Sequence, residues 1–283
     1  MSTWILLRGL SRESRHWGDF PAALRAACPD AEIHALDLPG NGRLNRQTSP
    51  ARVAEMAKSC REHLRECGLP PPYFVVALSL GAMVAVDWAA RHPSEIAGCV
   101  LINTSLRPFS PFYQRLKPGN YPALLGLLLR GDPEARERTI LRLTSCQAER
   151  PATLASWVGH ARQNPVSPGN ALRQLVAAAR YRAPLQKPVV PLLIIASAQD
   201  KLVDPRSSRR LAAAWNTAFA EHPTAGHDLP LDDAPWVGVE IRRWLGTRLS
   251  ASDKLPNPCT NYPEQPGDQT LNDPTDNLSR SAN

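Results

Sequence analysis

Short runs of consecutive apolar residues alternate along this chain with longer stretches whose apolar positions recur every three or four residues. The runs are Trp4–Leu7, Ile33–Leu36, Tyr73–Ala77, Cys99–Ile102, a stretch ending at Ala196, and a weaker run at Thr217–His222. Apolar runs without polar interruption indicate strands covered on both faces, as in parallel sheets. Pro191 lies inside the fifth run. Proline cannot donate to a ladder, so that strand should start after it. The helical patterns between the runs are His16–Ala27, Pro50–Cys67, Leu80–Arg91 and Pro235–Leu249. For the second helix, Ser49 is the expected N-cap and Pro50 the first helical position. Strand and helix in alternation predict a doubly wound α/β domain with right-handed crossovers.

The alternation breaks twice. Residues 105–183 hold no strong strand run and read as a helical insertion between the fourth and fifth strands. From about Ser250 the chain is rich in Pro, Asn, Asp and Ser and nearly devoid of aliphatic residues. Such a stretch cannot bury enough apolar surface to offset its ordering entropy, so 250–283 is expected to be a disordered tail.

Charge sharpens the picture of the insertion. The net charge of +7 is concentrated there, where 12 basic face 4 acidic side chains. No aromatic-interleaved basic stretch or recognition-helix motif accompanies the excess, which turns the reading away from nucleic acid. An acidic substrate or acidic protein partner fits it as well, and a solvated face is the default reading. No apolar run approaches the ~18 residues that span a bilayer. The apolar stretch at Trp4 is also too short for a signal-peptide core. The six cysteines are scattered, without a CxxC pair or zinc-finger spacing. They read as free thiols in a reducing cytoplasm, with no metal site.

The sharpest local signal is Ala77-Leu78-Ser79-Leu80-Gly81, between the third apolar run and the helix that follows it. It has the small-x-Ser-x-small pattern of a nucleophile elbow. Small residues are needed at 77 and 81 because the serine sits on a sharp turn pressed between strand and helix. A serine nucleophile needs a base, and the base an orienting acid. Just past the fifth run comes Asp200, favoured as the acid over Asp204, which precedes Pro205 and could cap the next helix. After the sixth run, Gly226-His227 places a histidine on a loop where the base belongs. His222 falls inside the strand run and reads as structural. Asp228 is expected to point away from His227.

These features resemble the α/β-hydrolase family over roughly residues 4–247. The resemblance rests on Arg8-Gly9-Leu10, Asp37-Leu38-Pro39-Gly40-Asn41-Gly42, the Ser79 elbow and the Asp200/His227 pair. Within the family the chain is similar to small cytoplasmic carboxylesterases, including the pimeloyl-carrier-protein methyl ester esterases. The family's first two strands are not represented, so the resemblance implies about six essentially parallel strands. The α/β-hydrolase core would comprise 1–104 and 184–249, with 105–183 as a helical cap over the nucleophile.

The resemblance also implies roles. Ser79, Asp200 and His227 form the triad, and the backbone N–H groups of Leu10 and Leu80 form the oxyanion hole. Arg8 stands where the family has histidine. With Gly9 and Leu78 it is assigned to substrate binding, either as a carboxylate ligand or as an ion-paired residue near the sheet. The implied activity is hydrolysis of carboxylic esters through an acyl-enzyme, without cofactor or metal. A thioesterase or acyltransferase with the same triad, or a non-catalytic binding module, are the alternatives. The expected partner is a small ester, anionic or carried on an acidic acyl-carrier protein. Cap residues Arg115, Lys117, Arg130, Arg136, Arg138 and Arg142 are the candidates for steering it.

Overall fold

The computed structural model describes residues 2–129, 132–147 and 150–252. The chain divides into a large unit, 1–246, and a short one, 247–283. Of the second, only residues 247–252, the end of a helix that begins at Ala234, are described. The expected disordered tail therefore lies, from residue 253 onward, outside the described residues.

Six strands form one sheet: β1 (Ser2–Leu7), β2 (Ala31–Leu36), β3 (Tyr73–Leu78), β4 (Ile96–Ile102), β5 (Leu192–Ser197) and β6 (Ala218–His222). Their order is β2-β1-β3-β4-β5-β6, and every neighbouring pair is parallel. The order reverses direction at β1/β3. Ligand sites of open α/β sheets lie at such a switch point, beyond the carboxyl ends of the strands. Those ends are Leu7, Leu78, Ile102, Ser197 and His222.

Successive strand residues point to opposite faces, and both faces are covered. Ile5 and Leu7 join one buried cluster with Val75, Ala77 and the helices α2 (Val53–Glu66) and α3 (Leu80–Arg91). Trp4 and Leu6 join the other with Val76 and Leu78. That cluster also takes in Phe20 and Leu24 of α1 (Phe20–Ala27). This two-sided burial is why the interior strands β1, β3, β4 and β5 are nearly continuous apolar runs, while the edge strands β2 and β6 carry exposed and polar positions such as Glu32 and Glu221.

Five helices separate β4 from β5: α4 (Phe112–Arg115), α5 (Tyr121–Leu129), α6 (Pro133–Thr144), α7 (Pro151–Gln163) and α8 (Pro168–Arg180). The base of this excursion is closed by a parallel bridge between Arg107 and Arg182. There Ala183 N–H donates to Arg107 O at 2.7 Å. The chain finishes with α9 (Arg206–Trp215), α10 (Leu229–Asp232) and α11 (Ala234–Ser252). Among the described residues, no helix is long and apolar enough to cross a membrane.

Two helices begin later than their patterns predict. The expected helix at His16 is a 3-10 turn over Ser14–Trp17, broken at Gly18, whose φ of 52° leaves the helical region. The helix expected from Pro50 starts at Val53, and Ser49 is not its N-cap. Instead Ser49 N–H donates to Asn170 Oδ1 at 2.9 Å and its carbonyl accepts from Arg173 Nε at 2.6 Å. These two side chains of α8 hold the backbone out of the helix.

Candidate active site

Ser79 links β3 directly to α3 with φ 55° and ψ −113°, a conformation that costs a non-glycine residue about 1–3 kcal/mol. Its N–H donates to Ile102 O at 3.0 Å, and Thr104 Oγ1 donates to its carbonyl at 3.3 Å. The end of β4 thus pins the turn. Gly81 is required sterically, since a Cβ there would lie 2.4 Å from Leu7 O and 2.7 Å from Arg8 O. Ala77 is fully buried in the core cluster with Leu7 and Leu80. Leu80 is the first residue of α3, so its N–H has no acceptor within the helix.

The loop after β1 passes over the elbow. A Cβ at Gly9 would come within 3.2 Å of Ser79 Cβ, so the backbone there runs against the serine. Leu10 follows, and Ser11 takes φ 55° with its N–H donating to Gln174 Oε1 at 2.8 Å. Gln174 Nε2 in turn donates to Asn41 Oδ1 at 2.8 Å. A fully buried side chain of α8 therefore fixes the loop from above.

Asp200 and His227 are 2% and 4% exposed, and His227 Nδ1 lies 2.7 Å from Asp200 Oδ2. A carboxylate only accepts, so Nδ1 carries the proton and Nε2 is left as the basic nitrogen. The other oxygen of Asp200 accepts from the N–H groups of Leu202 and Val203 at 2.8 and 2.9 Å. Asp204 is engaged elsewhere. It accepts from Arg206 N and from its guanidinium at the start of α9, and the hydrogen bond to Arg206 holds its carboxyl below the usual range.

Several residues that sequence reasoning passed over position this pair. Asn103, one residue beyond β4, has φ 47°. Its Nδ2 donates to His227 O at 2.8 Å and Ser197 Oγ at 2.9 Å, and its Oδ1 accepts from Ser197 N at 2.7 Å. Asp232 accepts from Gly226 N, Cys146 N and Ser145 Oγ, tying the histidine loop to the end of α6. A polar residue directly after an apolar strand was the available signal for Asn103. Nothing local marks Asp232 or Gln174.

Ser79 and His227 line one cavity of about 120 Å³ together with Gly9, Leu10 and Leu78. Leu124, Leu127, Ile140 and Leu143 of α5 and α6 supply its apolar wall. Arg8 also lines it, but two of its nitrogens are bound by Asp228 at 2.9 and 2.5 Å, and it stacks 5.0 Å from the Trp17 ring. The ion-paired reading of Arg8 thus describes its main contact, and Asp228 turns from His227 toward it. His222 is held in place, its Nδ1 accepting from Ala225 N at 2.9 Å.

Among the described charged residues of the insertion, only Arg136 lines the cavity. Arg115 donates to the carbonyls of Ala178 and Ala179, Lys117 to Asp200 O, and Arg138 pairs with Glu134. Arg130 lies outside the described residues.

A second cluster, Glu13, His16 and His160, brings three potential ligand atoms within 4.8 Å. It suits a cation poorly. Arg12 Nη1 sits 2.8 Å from His16 Nε2, and Arg15 and Asn164 occupy the Glu13 carboxylate. Burial and the neighbouring Arg12 hold His16 neutral, well below its ordinary pKa. The buried thiols of Cys60 and Cys99 are pushed up by burial, Cys60 to about 12, and are unreactive at neutral pH.

The family model of the alpha/beta hydrolase fold matches residues 5–234. A pimeloyl-[acyl-carrier protein] methyl ester esterase of Chromobacterium violaceum is 35% identical over 92 residues, 32% of this chain and 34% of that protein. The corresponding esterase of Aromatoleum aromaticum is 29% identical over 240 residues, 79% of this chain and 90% of that one. The biotin biosynthesis bifunctional protein BioHC of Cellvibrio japonicus is 27% identical over 88% of this chain and 49% of its own length. The chain thus spans under two thirds of the length of the first curated relatives it matches. Among solved structures, the enol-lactonase of Burkholderia xenovorans LB400 superposes with a TM-score of 0.72 at 18% identity, over 87% of this chain and 91% of that one. The esterase of Thermogutta terrifontis gives 0.69 at 21% identity, covering 87% and 90%. At such identities the superpositions speak for the fold alone. With its parallel six-stranded sheet, the serine turn after β3 and a family match across most of its length, the chain belongs to the alpha/beta hydrolase fold family.

Proposed function

We propose that this protein is a serine hydrolase of carboxylic esters working through an acyl-enzyme. The observation that carries the reading is the buried His227–Asp200 hydrogen bond opening into the cavity that contains the Ser79 elbow. Ser79 Oγ attacks the acyl carbon. His227 Nε2 takes its proton and returns it to the leaving alcohol. Asp200 fixes the tautomer and stabilises the imidazolium. The N–H groups of Leu10 and Leu80 receive the oxyanion, each such donor being worth about 3 kcal/mol. His227 then draws a proton from water, which attacks the acyl carbon and releases Ser79.

Gly9 and Leu78 shape the acyl side of the cavity, and Arg8 braces its wall through Asp228. Relatives whose names specify a methyl ester on an acyl-carrier protein support ester chemistry. They also support a substrate that is either a small ester or one delivered on an acidic carrier protein. The free thiols among the described residues fit a cytoplasmic setting. Hydrolysis of p-nitrophenyl esters of increasing chain length tests the reading. Activity should favour short acyl groups, given a cavity smaller than the ~150 Å³ that admits benzene. It should vanish in Ser79→Ala. Undiminished hydrolysis by that variant would overturn it.

A further inference from the structure

The loop that carries Asp200, between β5 and α9, has its main chain held by the insertion. Three successive carbonyls of this loop accept hydrogen bonds from one short stretch. Lys117 Nζ donates to Asp200 O at 2.6 Å, Asn120 Nδ2 to Lys201 O at 2.8 Å, and Lys117 N–H to Leu202 O at 3.0 Å. A fourth bond runs the other way, from Asp204 N–H to Gln114 O of α4 at 3.0 Å. Gln114 is itself buried, and its Oε1 accepts from Arg210 Nη1 of α9 at 2.7 Å. Lys117 and Asp200 are 83 residues apart in the chain, so this clamp joins the insertion to the core.

The two sides of the loop do different things. Its N–H groups at Leu202 and Val203 donate to Asp200 Oδ1, which leaves Oδ2 for His227 Nδ1. Its carbonyls turn to Lys117 and Asn120. The carboxylate therefore keeps its place only while the backbone around it keeps its own. Lys117 is the charged member of the clamp and is half-buried. Asp204, the loop's other carboxylate, is paired with Arg206, and the ammonium of Lys117 meets a main-chain carbonyl instead. A hydrogen bond from a charged donor is roughly twice as strong as a neutral one.

We infer that Lys117 is a positioning residue that acts through Asp200: with Asn120 it holds the acid loop so that Oδ2 meets His227. The inference rests on the proposed role of Asp200. One cation of the basic insertion thereby serves the acid rather than the substrate.

The test uses the full chain with Lys117→Met, Lys117→Arg, Asp200→Asn, or Lys117→Met and Asp200→Asn together. On p-nitrophenyl acetate, Lys117→Met should lower kcat about tenfold or more and change KM less than about threefold, because misplacing a catalytic group by an ångström can cost about 10²-fold. Lys117→Arg can still donate to the carbonyl and should recover most of kcat. Once the acid is gone there is nothing left to position, so Lys117→Met should cost less than about threefold in the Asp200→Asn background. An unchanged kcat in Lys117→Met, no recovery by arginine, or equal losses in both backgrounds overturns the inference and leaves the hydrolase reading intact. If the wild type hydrolyses no ester, the hydrolase reading fails, and the clamp is judged from amide hydrogen exchange. Lys117→Met should then speed exchange at Leu202 and Val203 about tenfold or more while leaving Ile5 of β1 unchanged. Equal acceleration at all three, or none at Leu202 and Val203, overturns it.

Discussion

Gly81 is the residue on which the turn depends most visibly, because a single methyl group there would strike two backbone carbonyls. Neither carbonyl can move without displacing β1 or the loop over Ser79. Gly81→Ala should therefore destabilise the fold by about 1–3 kcal/mol, read as a fall in Tm, and lower esterase activity in the protein that remains folded. A variant with wild-type Tm would show that the turn has more slack than its geometry indicates. The two aspartates near the end of β5 make a second contrast. Asp200→Asn leaves the shape but lets the imidazole hold the wrong tautomer, and kcat should fall by about 10⁴. Asp204→Asn touches Arg206 at the start of α9 and no catalytic side chain, and should change kcat by less than about threefold. The reverse order in pH-controlled kinetics would move the acid to Asp204.

At the scale of elements, the interior strands were legible because parallel strands covered on both faces must be apolar throughout; the edge strands β2 and β6, half-exposed, give weaker runs. The elbow was legible because its steric demands are local. The starts of two helices were not. Ser49 has the chemistry of an N-cap, but Asn170 and Arg173 claim its backbone from 121 and 124 residues away. No local pattern carries that information. The same holds for Arg8, whose partner Asp228 lies 220 residues on.

One inter-element link has a pH signature. Arg61 of α2 grips Glu95 at 2.6 and 2.7 Å, and Trp88 Nε1 of α3 donates to the same carboxylate at 2.8 Å. The Arg61 hydrogen bond is the chief reason its carboxyl is lowered from the ordinary glutamate range to about 2. A lowered folded-state pKa contributes stability that is complete above the unfolded value and lost as pH falls through the folded one. Glu95→Gln should therefore lower Tm at pH 7 by roughly 2–4 °C, with the deficit shrinking between pH 4.5 and 2. A deficit independent of pH would mean that packing, not ionisation, links the helices here.

Across the whole molecule, the sheet and the helices between β4 and β5 meet at the site through polar fastenings, two of which hold the loops beside Ser79 and His227. Gln174 of α8 holds the loop that carries Leu10, and Asp232 binds both the histidine loop and the end of α6. Asp232→Ala frees three buried donors at once, including Gly226 N–H beside His227. It should lower kcat by about tenfold or more, because misplacing a catalytic group by an ångström is costly. Unchanged kcat would show that Asn103 alone suffices to place His227.

The central claim is that Ser79 is the nucleophile of a working Ser-His-Asp site. Intact-mass analysis after incubation with a fluorophosphonate measures it most directly, comparing the wild type with Ser79→Ala and His227→Ala. The account predicts one stoichiometric adduct on the wild type, located by peptide mapping to Ser79, and none on either variant over the same time. An adduct on another residue, or an ester-hydrolysing wild type that takes up no label, would contradict it.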